Sequence, residues 1–441
     1  MAARREAETA RIESLTHDGR GIAAVDGKKV FVAGGLEGET VRFRRRKRRR
    51  SFDEAELLEV IDSSPARIPP RCAVFGVCGG CTLQHVSAPR QRAIRERALR
   101  DSLERIGQVE PERWLPAIFD PADDGGWHYR RRARLAVKDV AGKGRVLVGF
   151  RERHVPYVTD MHRCEVLARP VDALIDELSD VIGDLSIRSR LPQIEVTVAD
   201  NATALVFRVL DPPTDADRER LRRFAAERSV QVGLQAGRPD DIEALYPEDP
   251  APLSYRLPEF EVEVRFAATD FVQVNGAVNR LMVSAAIEQL QVERGHRVLD
   301  LYCGIGNFSL PLARCGARVL GLEGEAGQVE RARDNAARNG FRSCEFWRAD
   351  LDKVDGSERW MRERWDRVLI DPARSGALEV VRQMRTLGPA RIVYVSCHPG
   401  TLARDAGELT RTQGYTLESA GIIDMFPHTG HLESLAVFRQ S

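Results

Sequence analysis

Residues 297–307, Arg297-Val298-Leu299-Asp300-Leu301-Tyr302-Cys303-Gly304-Ile305-Gly306-Asn307, decide the fold of this chain. Val298, Leu299 and Leu301 read as a buried strand, Tyr302 to Asn307 as a tight glycine loop, and Phe308 to Cys315 as the helix that follows. That is the opening unit of a doubly wound sheet. Forward from it the alternation repeats. Strands are expected at Ala317–Leu322, Cys344–Arg348, Arg367–Ile370 and Arg391–Val395, with helices at Gln328–Asn339 and Leu402–Thr412. Two last strands are expected at Ala420–Met425 and Leu435–Phe438. Backward, Asp270 to Asn275 leads into a helix over Ala277–Leu290. This pattern predicts an α/β, Rossmann-like domain with a parallel sheet covered on both faces.

Strand after strand is followed by an acid or a reactive side chain: Asp300, Glu323, Asp350, Asp371 and Cys397. Open α/β sheets bind ligands at the carboxyl ends of their strands, so these side chains should line one crevice. Glu323 stands near the spacing at which an acid grips a ribose diol. A dinucleotide fingerprint needs a third glycine, but Ser309 occupies that place and no nearby cation awaits a pyrophosphate. The expected cofactor is S-adenosylmethionine, which has a ribose and no phosphate.

Val393-Tyr394-Val395-Ser396-Cys397-His398-Pro399 ends a strand on a thiol, because Pro399 forbids simple continuation. Alone, Cys397 reads as a core residue, since free cysteine is commonly buried. Beside a methyl donor it acquires a chemistry. Carbon 5 of uracil is too weak a nucleophile to take a methyl group unaided. Thiolate addition at carbon 6 makes an enolate whose carbon 5 can attack. A carboxylate must then remove the carbon-5 proton so that the thiol is expelled. Glu433, in His428-Thr429-Gly430-His431-Leu432-Glu433, is the expected base and Asp424 its competitor. By local composition alone, Glu433 looks like a surface acid in a polar loop.

Upstream, residues 9–62 show short alternating strands with glycine turns, Asp26-Gly27 being a hairpin signal. An OB-like barrel is expected, a frequent nucleic-acid binder. Arg42 to Arg50 holds eight cations and one Phe, uninterrupted by acid, in a chain of net charge +1. Such a dense local run predicts a polyanion site, RNA for choice. Acids cluster elsewhere, as at 239–243. Cys72, Cys78 and Cys81 follow, with Gly79 and Gly80 between, too close together to be core residues. Three ligands want a fourth, and the next cysteine is Cys164. The spacing leaves zinc and an iron–sulfur cluster open, the remote fourth cysteine leaning towards the cluster. His85 and His162 read as neighbours or surface residues rather than ligands.

Residues 89–105 read as an amphipathic helix. An α+β middle region follows, with strands at Tyr129–Val137, Arg145–Phe150, Ile194–Val198 and Ala204–Val209. Its helices are expected at Val171–Leu178 and Asp215–Arg228. The Pro-rich stretch Tyr246–Pro252 closes it. The expected domains are thus 1–63, 64–265 and 266–441, and 441 residues suffice for two or three cores. No apolar run reaches membrane-spanning length, and the N-terminus lacks a signal peptide's apolar region. A cytoplasmic protein is expected, with eight cysteines outside disulfides and no obligate protein partner.

These pieces together resemble the uracil-5 RNA methyltransferases over nearly the whole chain. The motifs are Cys72, Cys78, Cys81 and Cys164; Phe271-Val272-Gln273-Val274-Asn275; Asp300 to Asn307; Asp371-Pro372-Ala373-Arg374; Ser396-Cys397; and Phe426 to Glu433. Within that family they look most like the branch that carries a TRAM barrel and an iron–sulfur cluster and acts on 23S ribosomal RNA. The resemblance implies a four-iron four-sulfur (4Fe-4S) cluster on those four cysteines. It implies cofactor contacts from Gln273, Tyr302, Asn307, Glu323, Asp350 and Asp371. It implies Cys397 as nucleophile and Glu433 as proton acceptor, and suggests that a helix near 90–120 packs on the catalytic domain. Two positions depart from the family: His398 stands where Asn is usual, and Ala373 where some members have Pro. Transfer RNA uracil-5 methyltransferases of many bacteria lack the barrel and the cluster cysteines, so the N-terminal segment separates those readings. A non-catalytic RNA-binding or redox-sensing protein would have Cys397 or Glu433 missing or misplaced.

Overall fold

The computed structural model describes residues 7–16, 18–122, 125–238 and 241–441. Met1 to Glu6, and Pro239 and Asp240 of the acidic cluster, lie outside them. Two compact units form. One gathers the chain up to Ala98 with Phe150–Thr159 and Phe426–His431; the other holds Leu99–Gly149, Asp160–Met425 and Leu432–Ser441.

The first unit is built on a six-stranded sheet in the order Glu8–Arg11, Thr40–Arg48, Phe52–Asp62, Lys28–Ala33, Gly21–Val25, Ser14–Leu15. Asp26 and Gly27 both take positive φ, 52° and 75°, the backbone that a tight two-residue hairpin requires. One apolar cluster serves the sheet, with Ile12, Val30, Val32, Val41 and Phe43 at its centre. The basic run lies on the strand Thr40–Arg48 as far as Arg48, with Arg49 and Arg50 in the turn beyond, and the strand is antiparallel to Phe52–Asp62, whose acids answer it across the ladder. Arg42 meets Glu59 at 2.6 Å, Arg44 meets Glu56, and Arg45 reaches Glu8 at 2.7 Å and the buried Asp53 at 2.6 Å.

In the second unit, a sheet ordered Ile242–Tyr246, Gln231–Gln235, Thr203–Arg208, Gln193–Val198, Arg132–Val140, Arg145–Gly149 forms the middle of the chain. The helix Asp215–Arg228 begins where a Thr214–Asp217 capping box ties off its first turn. The helix expected at Val171–Leu178 starts later. Val171–Ala173 is a 3-10 turn and the helix proper is Ile175–Gly183.

A further sheet of this unit has eight strands, ordered Cys344–Arg348, Arg318–Glu323, Arg297–Leu301, Arg367–Ile370, Arg391–Ser396, Glu433–Gln440, Tyr415–Ile423, Arg113–Trp114. The first five run parallel, as expected. The sheet as a whole is mixed rather than parallel. Glu433–Gln440 is antiparallel to both its neighbours, because Tyr415–Ile423 returns into it without a crossover helix. Arg113–Trp114 adds a two-residue parallel edge too short to leave a pattern in the sequence. Just before it, the turn Leu103–Gly107 lies close against the helix Pro399–Arg411. A Cβ on Gly107 would stand 2.6 Å from the Ala403 carbonyl oxygen, and Arg411 donates to the Gly107 carbonyl. Among the described residues no helix is long and apolar enough to cross a membrane.

Candidate active site

The parallel register fixes a row of side chains. Leu301 pairs with both Leu322 and Ile370, Glu323 with Arg348, and Ile370 with Tyr394. Tyr302, Glu323 and Asp371 therefore stand side by side at the carboxyl ends, where α/β sheets do their chemistry, and Cys397 follows two residues past Val395, the residue level with Asp371. Glu433 comes from the antiparallel strand. Arg391 pairs with Arg439 and Ser396 with Ser434, so the next step in that register sets Cys397 opposite Glu433. Residues directly opposed across such a ladder have Cβ atoms about 5 Å apart. The Ser434 hydroxyl donates to the Ser396 carbonyl at 3.2 Å and holds the two strand ends together. Glu433 is no loop residue: it opens a buried strand and is 3% exposed.

Three acidic groups thus share one poorly solvated place. Burial, then Glu433 and Asp371, push the half-buried Cys397 thiol up to about 11, while Arg374 pulls it down. Burial, then Asp371, holds the Glu433 carboxyl well above its usual range, again against Arg374. Burial and Asp300 raise Asp371 to about 7.

The Cys397 backbone is pinned on both sides. The Ser396 hydroxyl accepts from the His398 amide and donates to the His398 carbonyl, both at 3.2 Å. His398 is the N-cap of the helix Pro399–Arg411: its ring Nδ1 accepts from the Thr401 amide at 3.2 Å. This is the bond an Asn makes at that position, so the departure from the family keeps the cap. Pro399 stops the strand by opening the helix, where its missing N–H costs nothing. Asp405, fully buried on that helix, accepts from the Tyr394 hydroxyl, the Ala377 amide and Arg404 Nε, each at 2.8 Å. It ties the loop carrying Asp371 and Arg374 to the strand that ends at Cys397.

The glycine loop sits under the other end of the row. Tyr302, Gly304 and Gly306 take φ of 63°, 54° and 97°. Glu323 accepts from the Gly304 and Glu325 amides at 3.1 and 3.0 Å, so its carboxylate is held beside the loop. The Tyr302 hydroxyl is buried with no partner among the described residues. Asp300 does not line the crevice. It is fully buried beneath the loop, where it accepts from the Ser309 hydroxyl, and burial raises it to about 7. Asp350 is exposed and paired with Lys353 at 3.1 Å. Asn307 makes a reciprocal amide pair with Asn279, at 3.1 and 3.0 Å, and accepts from the Tyr255 hydroxyl at 2.8 Å. Gln273 is half-buried on a segment anchored by Asn275, which caps the helix Gly276–Leu290. It does not belong to the row of strand ends. Asp424 is buried beyond Ile423, the residue that pairs with Glu433, but the carboxylates that raise Cys397 are Glu433 and Asp371. Tyr255, Asn279 and Asn335 escaped the sequence. Asn335 donates to the Ile305 carbonyl at 3.2 Å and exchanges bonds with Arg265, clamping the loop to the strand Val262–Phe266.

In the first unit, Cys78 and Cys81 are buried and Cys72 half-buried, all as free thiols. The Gly80 amide donates to Cys78 Sγ at 3.4 Å. Arg153 donates to the Cys78 carbonyl at 3.2 Å and to that of Cys81, and its charge faces both sulfurs. Cys164 is buried in the second unit. Among the described residues no three donors converge as they would on a single metal ion. His85 is a buried residue, 2% exposed, and burial lowers it to about 4; His162 is exposed and bonded to Asp176 at 2.8 Å.

The sequence model of the tRNA (Uracil-5-)-methyltransferase family matches residues 115–440. A protein from Aromatoleum aromaticum named 23S rRNA (uracil(1939)-C(5))-methyltransferase RlmD is 48% identical over 98% of this chain and 99% of its own length. One of the same name from Nitrosococcus oceani is 50% identical, over 99% and 97%. Among solved structures, the tRNA (uracil-54, C5)-methyltransferase of Pyrococcus abyssi with S-adenosyl-L-homocysteine shares the fold. Its TM-score is 0.75 at 24% identity, covering 98% of this chain and 99% of that one.

Proposed function

Because this chain belongs to the tRNA (uracil-5-)-methyltransferase family, we propose that it methylates carbon 5 of a uridine in 23S ribosomal RNA, with S-adenosylmethionine as donor. One observation carries the reading. A thiol and a carboxylate lie each one residue past the Ser396–Ser434 pair of two antiparallel strands, close enough for the carboxylate charge to act on the thiol, in a chain about half identical, end to end, to proteins named for that reaction.

The row fits the donor. The glycine loop, the Glu323 carboxylate and the Tyr302 hydroxyl, unpartnered among the described residues, offer what a ribose and an adenine edge need, while Gln273, Asn307, Asp350 and Asp371 complete the proposed contact set. Bound there, S-adenosylmethionine supplies an electrophilic methyl group on a positively charged sulfur. Arg374 favours the Cys397 thiolate. Its sulfur bonds to uracil carbon 6, and the π pair moves onto the carbon-4 carbonyl oxygen. Carbon 5 then takes the methyl group, the broken bond's electrons staying with the donor sulfur. Ionised Glu433 removes the carbon-5 proton. The released pair re-forms the ring double bond, and the carbon–sulfur pair returns to Cys397. Burial makes Glu433 a stronger base than a carboxylate in water, which suits that last step.

The proposal extends to a four-iron four-sulfur cluster on Cys72, Cys78 and Cys81, with Cys164 as fourth ligand. An amide N–H on one sulfur and a guanidinium facing two of them suit a thiolate-held, negatively charged group. We assign residues 1–63 to a TRAM RNA-binding barrel, 64–265 to the cluster-bearing region and 266–441 to catalysis, in a cytoplasmic enzyme. The test is mass mapping of 5-methyluridine in RNA from a deletion strain. Loss from 23S ribosomal RNA is expected. Loss from transfer RNA alone would reassign the substrate, and loss from neither would refute the reading.

A further inference from the structure

Glu433 is reached through a loop, Phe426–His431, that is gripped at nearly every residue. Arg95, 1% exposed on the helix Ala88–Ser102, sends its guanidinium into the loop. It donates to the carbonyls of His431 at 3.1 Å, Phe426 at 3.0 Å and Thr429 at 2.9 Å. Four residues earlier on the same face of the helix, buried Gln91 takes the other half of the loop. Its carbonyl accepts from the His428 amide at 2.8 Å, and its amide group donates to the carbonyls of Leu83 at 3.1 Å and Val86 at 2.9 Å. The His428 carbonyl accepts in turn from the Thr82 and Leu83 amides, at 2.8 and 2.9 Å, directly after Cys81. His428 is held at φ 65°, and a Cβ on Gly430 would stand 2.8 Å from Asp18 Cα.

A buried guanidinium spent on three carbonyls of one short loop fixes that loop's path. Two residues beyond His431 the chain delivers Glu433 to its place opposite Cys397. We propose that Arg95 and Gln91 are positioning residues for Glu433, acting through the path they impose on the loop Phe426–His431. The inference rests on the role proposed above for Glu433. It does not concern binding of RNA or donor, and so it makes a selective demand. Loosening the clamp should slow the step that needs the base more than the steps before it.

In that step the carbon-5 proton leaves and the carbon 6–sulfur bond breaks. An enzyme that cannot complete it retains methylated RNA covalently on Cys397. The experiment uses full-length protein purified anaerobically, a uridine-containing fragment of 23S ribosomal RNA, and donor labelled in the methyl group. The readout is labelled RNA bound to protein on a denaturing gel, alongside kcat, KM and the circular dichroism of each variant. Glu433→Gln is the reference and should accumulate the labelled adduct. Arg95→Met and Gln91→Leu should accumulate it too, with kcat falling about 100-fold, as for a displacement of roughly 1 Å, and KM for RNA little changed. If Arg95→Met fails to fold, Arg95→Lys keeps the charge but cannot reach three carbonyls, and it should give the same trap; Gln91→Glu keeps the acceptor for the His428 amide and should restore part of the turnover. Slowing without adduct, in variants that fold, would overturn the positioning role while leaving Glu433→Gln trapped. Absence of adduct in Glu433→Gln would instead overturn the assignment of the base.

Discussion

The buried, acid-flanked setting of Cys397 sets a measurable reactivity. A thiol at about 11 is ionised at pH 7 in about one molecule in ten thousand. An ordinary cysteine, near 8.5, is ionised in about three in a hundred. Alkylation of Cys397 by iodoacetamide should therefore be more than about 100-fold slower at neutral pH than that of a free small thiol, and should rise tenfold per pH unit to about pH 11. Glu433→Gln removes the carboxylate whose charge most opposes the thiolate, so the midpoint should move down. Arg374→Ala removes the opposing cation and should move it up. Peptide mass mapping of Cys397 across a pH series measures all three. A wild-type profile that levels off below pH 9, or a midpoint unmoved by both substitutions, would refute this account of the site's electrostatics.

His398→Asn should leave stability unchanged, because either side chain caps the helix Pro399–Arg411; His398→Ala should lose about 1 kcal/mol by denaturant unfolding. Asp405→Ala strips partners from a buried tyrosine hydroxyl and an amide and frees the Asp371 loop. It should cost about 3–5 kcal/mol by the same assay and reduce kcat in whatever folds. Asp217, 4% exposed, accepts from Ser186 and Thr214, and against the cost of its burial these bonds hold its pKa at about 2. Its folded pKa is depressed, so the stabilisation, about 2 kcal/mol, is fully present above its unfolded value near 3.8 and is lost as pH falls through about 2. Asp217→Ala should flatten that part of the acid-unfolding curve.

The parallel half of the catalytic sheet was legible because buried strands of Val, Ile and Leu alternate with amphipathic helices, and each is closed by an acid or a reactive side chain. Cys397 and Glu323 were found by that punctuation. Glu433 was named by chemistry but misjudged by environment: His428, Thr429 and Gly430 before it look like a solvated loop, yet the strand that begins at Glu433 is buried throughout its first half. Asp300 was misplaced because the end of a strand, read from sequence, does not reveal which side of a glycine loop a carboxylate occupies. The supports were invisible. Asn335 to Ile305, Asp405 to Ala377 and Arg95 to Phe426 join residues 28 to 331 positions apart, and no local pattern records a hydrogen bond of that range.

The basic strand has a consequence for how tightly salt would control RNA binding. Of the eight cations between Arg42 and Arg50, five face a carboxylate: Arg42, Arg44, Arg45, Arg46 and Arg49. Lys47, Arg48 and Arg50 have no ion pair among the described residues. Each phosphate neutralised on single-stranded RNA releases about 0.7 of a counterion, so three available cations give a log–log salt dependence near −2, where eight would approach −6. The stripe is an ampholyte rather than a polycation. A polynucleotide lying along it would exchange one set of ionic partners for another, so its adhesion would fade only gently as ionic strength rises.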